Sequence, residues 1–399
     1  MPVNRRDRAQ GSTAVLIRAL LVVVAALALP GGRAATAQEP TGPPAAFIPP
    51  SSCVTSVADT VEARRVRVLQ ADGFDANSYG GERVATDASW APARVVDLAP
   101  FGTGYAVLDG RAGELVRVSV DLTTWDVWAG EGPGPGELTE PRALATSGSG
   151  SGELLVLQGQ PPAIHRFDGE GRFVDTFRLN SNPNDLGVTS DGRIWLTRDV
   201  WGLHLRSRPG MEAAVLISTD ENGREAREHW SVTADSLDAA RYNLGYVRVR
   251  VATGGRFAAI YFPASGIIEL FDDGGQVRTL ETCMPEELED AYGRQLRETT
   301  SADISPGRPP VAEYSVDLLT DVRVGENGEV WALAGVRTED GFFHIDRFDA
   351  SGRNVGSILL SLDAPYQLQG IRLGLDPERE VVGFDPQEGH IFVYELSGS

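Results

Sequence analysis

Six times along the chain a turn leads into a short apolar strand: GTGYAVLD from 102, GSGELLVL from 150, DGRIWLT from 191, GGRFAAIY from 254, NGEVWAL from 327 and PEREVVGFD from 377. After each comes a second apolar strand that ends in an acidic turn, at Asp121, Asp168, Asp220, Asp272, Asp349 and Glu395. The intervals between those acids are 47, 52, 52, 77 and 46 residues, a period near fifty with one insertion. Short strands that alternate with period two and recur at this spacing predict propeller blades, because helical solenoids of similar repeat length would alternate with period 3.6.

Each repeat supplies four strands. In the second they read RALATS, ELLVLQ, AIHRFD and FVDTFRL, from the axis outward. The turns DGEGR, DENGR, DDGG and DASGR join third strands to fourth, with Asp or Asn to cap the turn and Gly for its positive backbone angle. The last repeat stops after its third strand, while TVEARRVRVLQ, residues 60–70, reads as a strand with no blade of its own. The expected fold is therefore all-β: a six-bladed propeller whose last blade is closed by the N-terminal strand, removing an exposed edge. Residues 233–243 and 285–298 read instead as two short helical insertions, the second starting at Pro285 with acids early and Arg later. Both connect an outer strand to the next inner strand and so fall on one face, around the channel mouth.

The stretch WAGEGPGPGELTEPRALA, residues 128–145, looks at first like a phosphate loop. Pro133 and Pro135 remove backbone donors that such a cradle needs, so it reads as a blade-to-blade crossover that points Arg142 toward the channel mouth.

Residues 1–37 read as a secretory signal, with Arg5, Arg6 and Arg8 before an apolar run and AATA before Gln38; an uncleaved anchor is the alternative. Pro-rich residues 38–59 read as a linker, and residues 60–399 as the propeller. The chain carries −20 at pH 7 from 36 basic and 56 acidic residues, and removing the signal takes five arginines against one aspartate, leaving −24. That balance repels nucleic acid and anionic lipid. There is no lysine, which excludes Schiff-base chemistry. Export predicts a disulfide between Cys53 and Cys283, with two unpaired thiols as the alternative.

With GPGELTEPRALA, AIHRFDGEGRF and DGRIWLT in successive units, the chain resembles bacterial six-bladed propellers of the NHL-repeat type over roughly residues 60–397. Relatives of that fold include peptide- and protein-binding scaffolds, RNA-binding domains, lactonases and an amidoglycolate lyase. The lyase-like version implies a metal held by histidines on inner strands. Here His165, His344 and His390 fall on third strands, away from the axis, and His229 near an insertion. The lactonase-like version implies a divalent ion, calcium above all, near the starts of inner strands, where Asp97, Asn184, Asp185 and Asp317 would be its ligands. Without such a site the chain takes no cofactor. Arg142, Asn184, Asp185, Arg198, Asp199, Trp201 and Asp317 are then expected to line a binding surface at the channel mouth. The function expected is that of an exported, monomeric binding or scaffold module for a peptide, glycan or envelope protein; the alternative is a metal-dependent hydrolase or lactonase.

Overall fold

The computed structural model describes residues 57–69, 94–147, 152–198, 212–224, 226–233, 249–263, 266–282, 318–334, 342–362, 370–377, 379–385 and 390–396. They form a six-bladed β-propeller, and among them there is no helix. The signal, residues 38–56 of the linker, both cysteines, Asp199, Trp201, Asp317 and residues 285–298 lie outside the described residues, whereas residues 57–59, expected in the linker, already belong to a strand. So do residues 234–243. Thr233, expected to open a helix, instead ends a strand, because it continues the outer ladder opposite Glu212.

Strand β1 (Val57–Leu69) precedes the blades. Blade 1 comprises β2 (Val95–Phe101), β3 (Gly104–Asp109), β4 (Glu114–Ser119) and β5 (Trp125–Ala129). Blade 2 comprises β6 (Pro141–Thr146), β7 (Leu154–Gln158), β8 (Ala163–Phe167) and β9 (Phe173–Arg178). Blade 3 runs through β10 (Pro183–Val188), β11 (Ile194–Arg198), β12 (Glu212–Thr219) and β13 (Arg227–Thr233). Blade 4 runs through β14 (Arg250–Gly254), β15 (Phe257–Phe262), β16 (Ile267–Asp272) and β17 (Gly275–Glu281). Blade 5 has β18 (Leu319–Val324), β19 (Val330–Ala334), β20 (Phe342–Phe348) and β21 (Asn354–Leu362), and the sixth has β22 (Gly370–Leu373), β23 (Glu380–Asp385) and β24 (His390–Leu396). Blades 1–4 are separate antiparallel sheets, whereas the last two share one eight-stranded sheet through β1, which lies parallel to β21 and antiparallel to β24.

Burial explains the sequence pattern. Second strands β3, β7 and β15 are buried at every residue, since a blade is covered on both faces by its neighbours, and they read as continuous apolar runs. Outer strand β9 alternates between half-buried and exposed residues and keeps the polar alternation of a sheet edge. The buried side chains fall into six clusters, one at each blade interface. At the interface that closes the ring, Val382, Phe384, Ile391 and Val393 of blade 6 pack with Leu98, Tyr105 and Val107 of blade 1.

The recurring acidic turns join blades as well as strands. Asp168 Oδ1 accepts the N–H groups of Glu170 and Arg172 at 3.0 and 2.9 Å, and Asp349 Oδ1 those of Ser351 and Arg353 at 2.9 and 3.1 Å. Gly171, in the first of these turns, has φ 80° and lies directly against the Trp128 ring of blade 1, so the turn conformation and the blade contact both require glycine there.

Candidate functional site

The inner strands position the polar groups of the channel with one repeated device. β2, β10 and β18 each carry a bulge, between Val95 and Asp97, between Pro183 and Asp185, and between Leu319 and Asp321. A bulge inserts a residue and re-aims the side chain that follows it. Asp97 accepts the N–H of Leu98 on one oxygen at 2.9 Å and that of Leu144, in the next blade, on the other at 3.0 Å. Asp185 accepts from Leu186 at 3.0 Å and from Val251 of the next blade at 3.1 Å. Asp321 accepts from Leu373, again one blade on, at 2.8 Å. The three aspartates are thus inter-blade staples, made of charge-assisted hydrogen bonds that are stronger than neutral ones.

The residue preceding each receiving N–H is Ala143, Arg250 or Arg372. Around the axis the order is therefore Asp97, Ala143, Asp185, Arg250, Asp321, Arg372, with acid and base alternating except at the alanine. Arg372 Nε lies 3.9 Å from Asp97 Oδ1, and its Nη1 donates to the Thr320 and Ile371 carbonyls, both at 3.0 Å. Arg323 Nε is 3.7 Å from Asp321 Oδ2. With Tyr261 these groups line a cavity of about 90 Å³. The channel at this level has room for a cluster of waters, far less than the cavity at the mouth.

Burial pushes the Asp185 carboxyl up to about 7, with the Asp97 charge adding to the shift and Arg250 and the two N–H groups opposing it. Burial likewise raises the Tyr261 phenol. Among the described residues no three His, Cys, Asp or Glu side chains come together as they would to hold a metal ion. Asp97 and Asp185 face backbone N–H groups with both oxygens, and Asn184 turns to a different cavity. Asp317, the fourth residue of the calcium ligand set that the resemblance implied, lies outside the described residues.

That second cavity lies at the mouth. It has a volume of about 440 Å³, and its polar lining is Arg94, Glu140, Arg142, Asn184, Asp185 and Arg250. The crossover from β5 to β6 builds one wall. Leu138 donates to the Gly130 carbonyl at 2.9 Å, Gly134 to Glu137 Oε2 at 2.7 Å, and Thr139 to Gln158 Oε1 at 2.9 Å. Glu140 then has φ 51°, left-handed for a non-glycine residue and directly before a proline, a strained combination of the kind that accumulates at functional sites. Its carbonyl accepts the Gly159 N–H at 3.0 Å. Gly159 has no side chain because the Arg142 guanidinium lies against it. Arg142 Nη1 donates to Asn182 Oδ1 at 2.9 Å and reaches the Pro183 carbonyl at 3.4 Å. Asn184 Nδ2 is buried without a hydrogen-bond acceptor among the described residues.

Of the residues singled out from sequence, Arg142, Asn184 and Asp185 meet at the mouth, and Asp97 lies deeper, in the channel. Arg198 sits opposite Pro183 in the β10–β11 ladder and lines neither cavity. Sequence reasoning missed Arg94, Glu140 and Arg250 at the mouth and Asp321, Arg323, Arg372 and Tyr261 in the channel. Aligning the inner strands would have found three of them: TDV carries Asp321 where VDL and NDL carry the other staples, and VRV and IRL carry Arg250 and Arg372.

The described histidines serve the blades. Ser218 Oγ and His229 Nε2 are 2.7 Å apart, and His229 stacks on Trp195 with ring centroids 4.3 Å apart. His165 lies between Gln158 and Thr176, 3.1 and 3.0 Å from them. Burial, with help from Arg227 and Arg193 and against Asp273, pushes the His229 imidazole down to about 4, and burial alone lowers His165. A depressed imidazole favours the neutral form in the fold, so stability is lost as pH falls from about 6.5 toward 4. Asp185 acts in the opposite sense, since the folded state keeps its proton between about 4 and 7 and stability from that group falls as pH rises. An NMR titration separates the two: the His229 ring should remain neutral at pH 5, and a midpoint near 6.5 would contradict the buried Ser218 pairing.

No protein-family model and no curated protein matches the chain. Among solved structures it is similar to a Bacteroides fragilis protein whose name gives export as an assumption, at 10% identity over 86% of this chain and 100% of that one, with a TM-score of 0.52. It is also similar to a Xanthomonas campestris gluconolactonase, at 15% identity over 77% and 88% of the chains and TM-score 0.45. A streptogramin B lyase follows at 14% identity over 76% and 80%, TM-score 0.43. At such identities the likeness is one of fold.

Proposed function

We propose that the chain is an exported propeller of the NHL-repeat kind that acts as a binding module and takes its ligand at the channel mouth. The observation that carries this reading is the contrast between the two cavities. The channel is narrow and its carboxylates are tied to backbone N–H groups, whereas the mouth offers about 440 Å³ with an unpartnered buried amide and a strained acidic residue on its walls. Ligand pockets commonly have volumes of about 300–1,000 Å³, so the mouth fits a small ligand or the tip of a larger one, such as a peptide side chain or a glycan end. Export rests on the basic and apolar start of the chain. Among the described residues no helix is long and apolar enough to cross a membrane. In this reading β1 supplies the fourth strand of the sixth blade, and Cys53 pairs with Cys283 outside the described residues.

A metal-dependent hydrolase is the second reading. Asp185 favours it, as a carboxyl with its pKa near neutrality at the floor of the mouth could exchange protons with a substrate. The two readings part on calcium. Melting with excess calcium and with chelator is expected to give one unchanged Tm.

A further inference from the structure

Resting on that reading, we infer that the mouth selects a small organic anion carrying one carboxylate. Among the described residues three guanidinium groups, from Arg94, Arg142 and Arg250, and two carboxyls, from Glu140 and Asp185, line the same cavity, an excess of at least one positive charge. The rest of the molecule is strongly negative, with 56 acidic against 36 basic residues over the whole chain. A locally positive pocket in an acidic body attracts a compact anion at short range and repels polyanions at long range. Nucleic acids and heavily sulfated or phosphorylated glycans are disfavoured for that reason.

The geometry of Arg142 narrows the chemistry further. Its Nη1 is held by Asn182 and Pro183, which fixes the guanidinium, while its Nε and Nη2 pack on Gly159 and have no hydrogen-bond acceptor among the described residues. A pinned guanidinium with donors left unspent suits a carboxylate. The Asn184 amide is a further donor on the same wall. Glu140 accepts hydrogen bonds, so a ligand bearing hydroxyl or amine groups beside its carboxylate meets both signs of the lining. Arg94 is exposed, and its backbone holds the fold: its N–H donates to Asp109 Oδ1 at 3.2 Å and its carbonyl accepts the Gly110 N–H at 2.9 Å. Its side chain supplies charge at the rim without a structural duty.

The test is calorimetric titration of the full chain with four hydroxylated monocarboxylates (glycerate, quinate, shikimate and galacturonate) and with their methyl esters. At least one acid is expected to bind, its ester to bind at least tenfold more weakly, and Arg94→Gln and Arg142→Gln each to weaken the acid about tenfold without changing the ester. Arg94→Gln is the variant that leaves the fold intact. Raising salt should weaken the acid alone, since exposed charge attraction is screened within about 10 Å at 0.1 M salt. Equal binding of acid and ester, lost in the Arg142 variant, would overturn the anion inference while leaving the mouth as the binding place. Acid binding that neither variant alters would overturn both, and no binding by any of the four acids would overturn the inference.

Discussion

Replacing Gly254 by alanine should destabilise the protein by about 3 kcal/mol or more, toward the upper end of what overpacking costs. Gly254 ends β14 at the tip of the first hairpin of blade 4, where the chain runs against the tip of blade 5. A Cβ there would fall on the Val324 carbonyl, and the neighbouring Gly255, with φ 52°, would place one on the Glu326 carbonyl. Both obstacles are backbone, so no side chain can rotate away. Relief would require the two blades to separate, disturbing the cluster in which Ala252, Phe257, Val322 and Val324 pack together. Gly102 is the control. Its φ is 58° but no described residue lies within 4 Å of where a Cβ would stand, so Gly102→Ala should cost only the left-handed penalty of roughly 1–2 kcal/mol. Equal losses of Tm in the two variants would show that the blade contact contributes nothing.

Removing residues 57–69 should have a larger effect still. β1 runs antiparallel to β24 from Ala63 opposite Leu396 to Leu69 opposite Ile391, and its first half continues parallel along β21. Without it, β24 would present a free row of backbone donors and acceptors on HIFVYEL, buried at every residue but Glu395. Such an apolar edge is a template for pairing with another chain. The truncated protein is expected to appear as aggregate and to lose at least ~5 kcal/mol, comparable to the whole stability of many domains. A soluble monomer with the parent Tm would contradict the proposal that this strand closes the ring.

The propeller was legible because its turns repeat. The D-x-x-G-R hairpins at 168, 220 and 349 announce themselves by Asp and Gly spacing, and the structure adds why the glycine recurs: Gly171 lies against Trp128, and Gly223 against Phe177, each from the preceding blade. The channel was less legible, and the bulges are the reason. A one-residue slip between Val95 and Asp97 reverses which faces the following residues take, so simple alternation misplaces what comes next. The same slip precedes Asp321, and the choice of Asp317 for that strand missed the residue that staples blades 5 and 6. Arg250 and Arg372 escaped notice for a different reason. In VRV and IRL a single cation between apolar residues looks like a solvent-facing position, and only the ring of six inner strands turns it toward the axis.

The mouth was half legible. Arg142 was found through the Pro-rich crossover, and Asn184 and Asp185 through their place at an inner-strand start. Arg94 and Glu140 come from segments distant in sequence, and no periodicity links them.

Melting of the purified chain with millimolar calcium and with excess chelator tests most directly whether this propeller binds at its mouth or works through a metal at its axis. The staples predict one Tm under both conditions, unchanged in Asn184→Ala, because the channel carboxylates already accept backbone N–H groups. A calcium-dependent rise of several degrees, corresponding to about 2.7 kcal/mol for an ion present at a hundred times its Kd and abolished in Asn184→Ala, would contradict the account and favour the hydrolase.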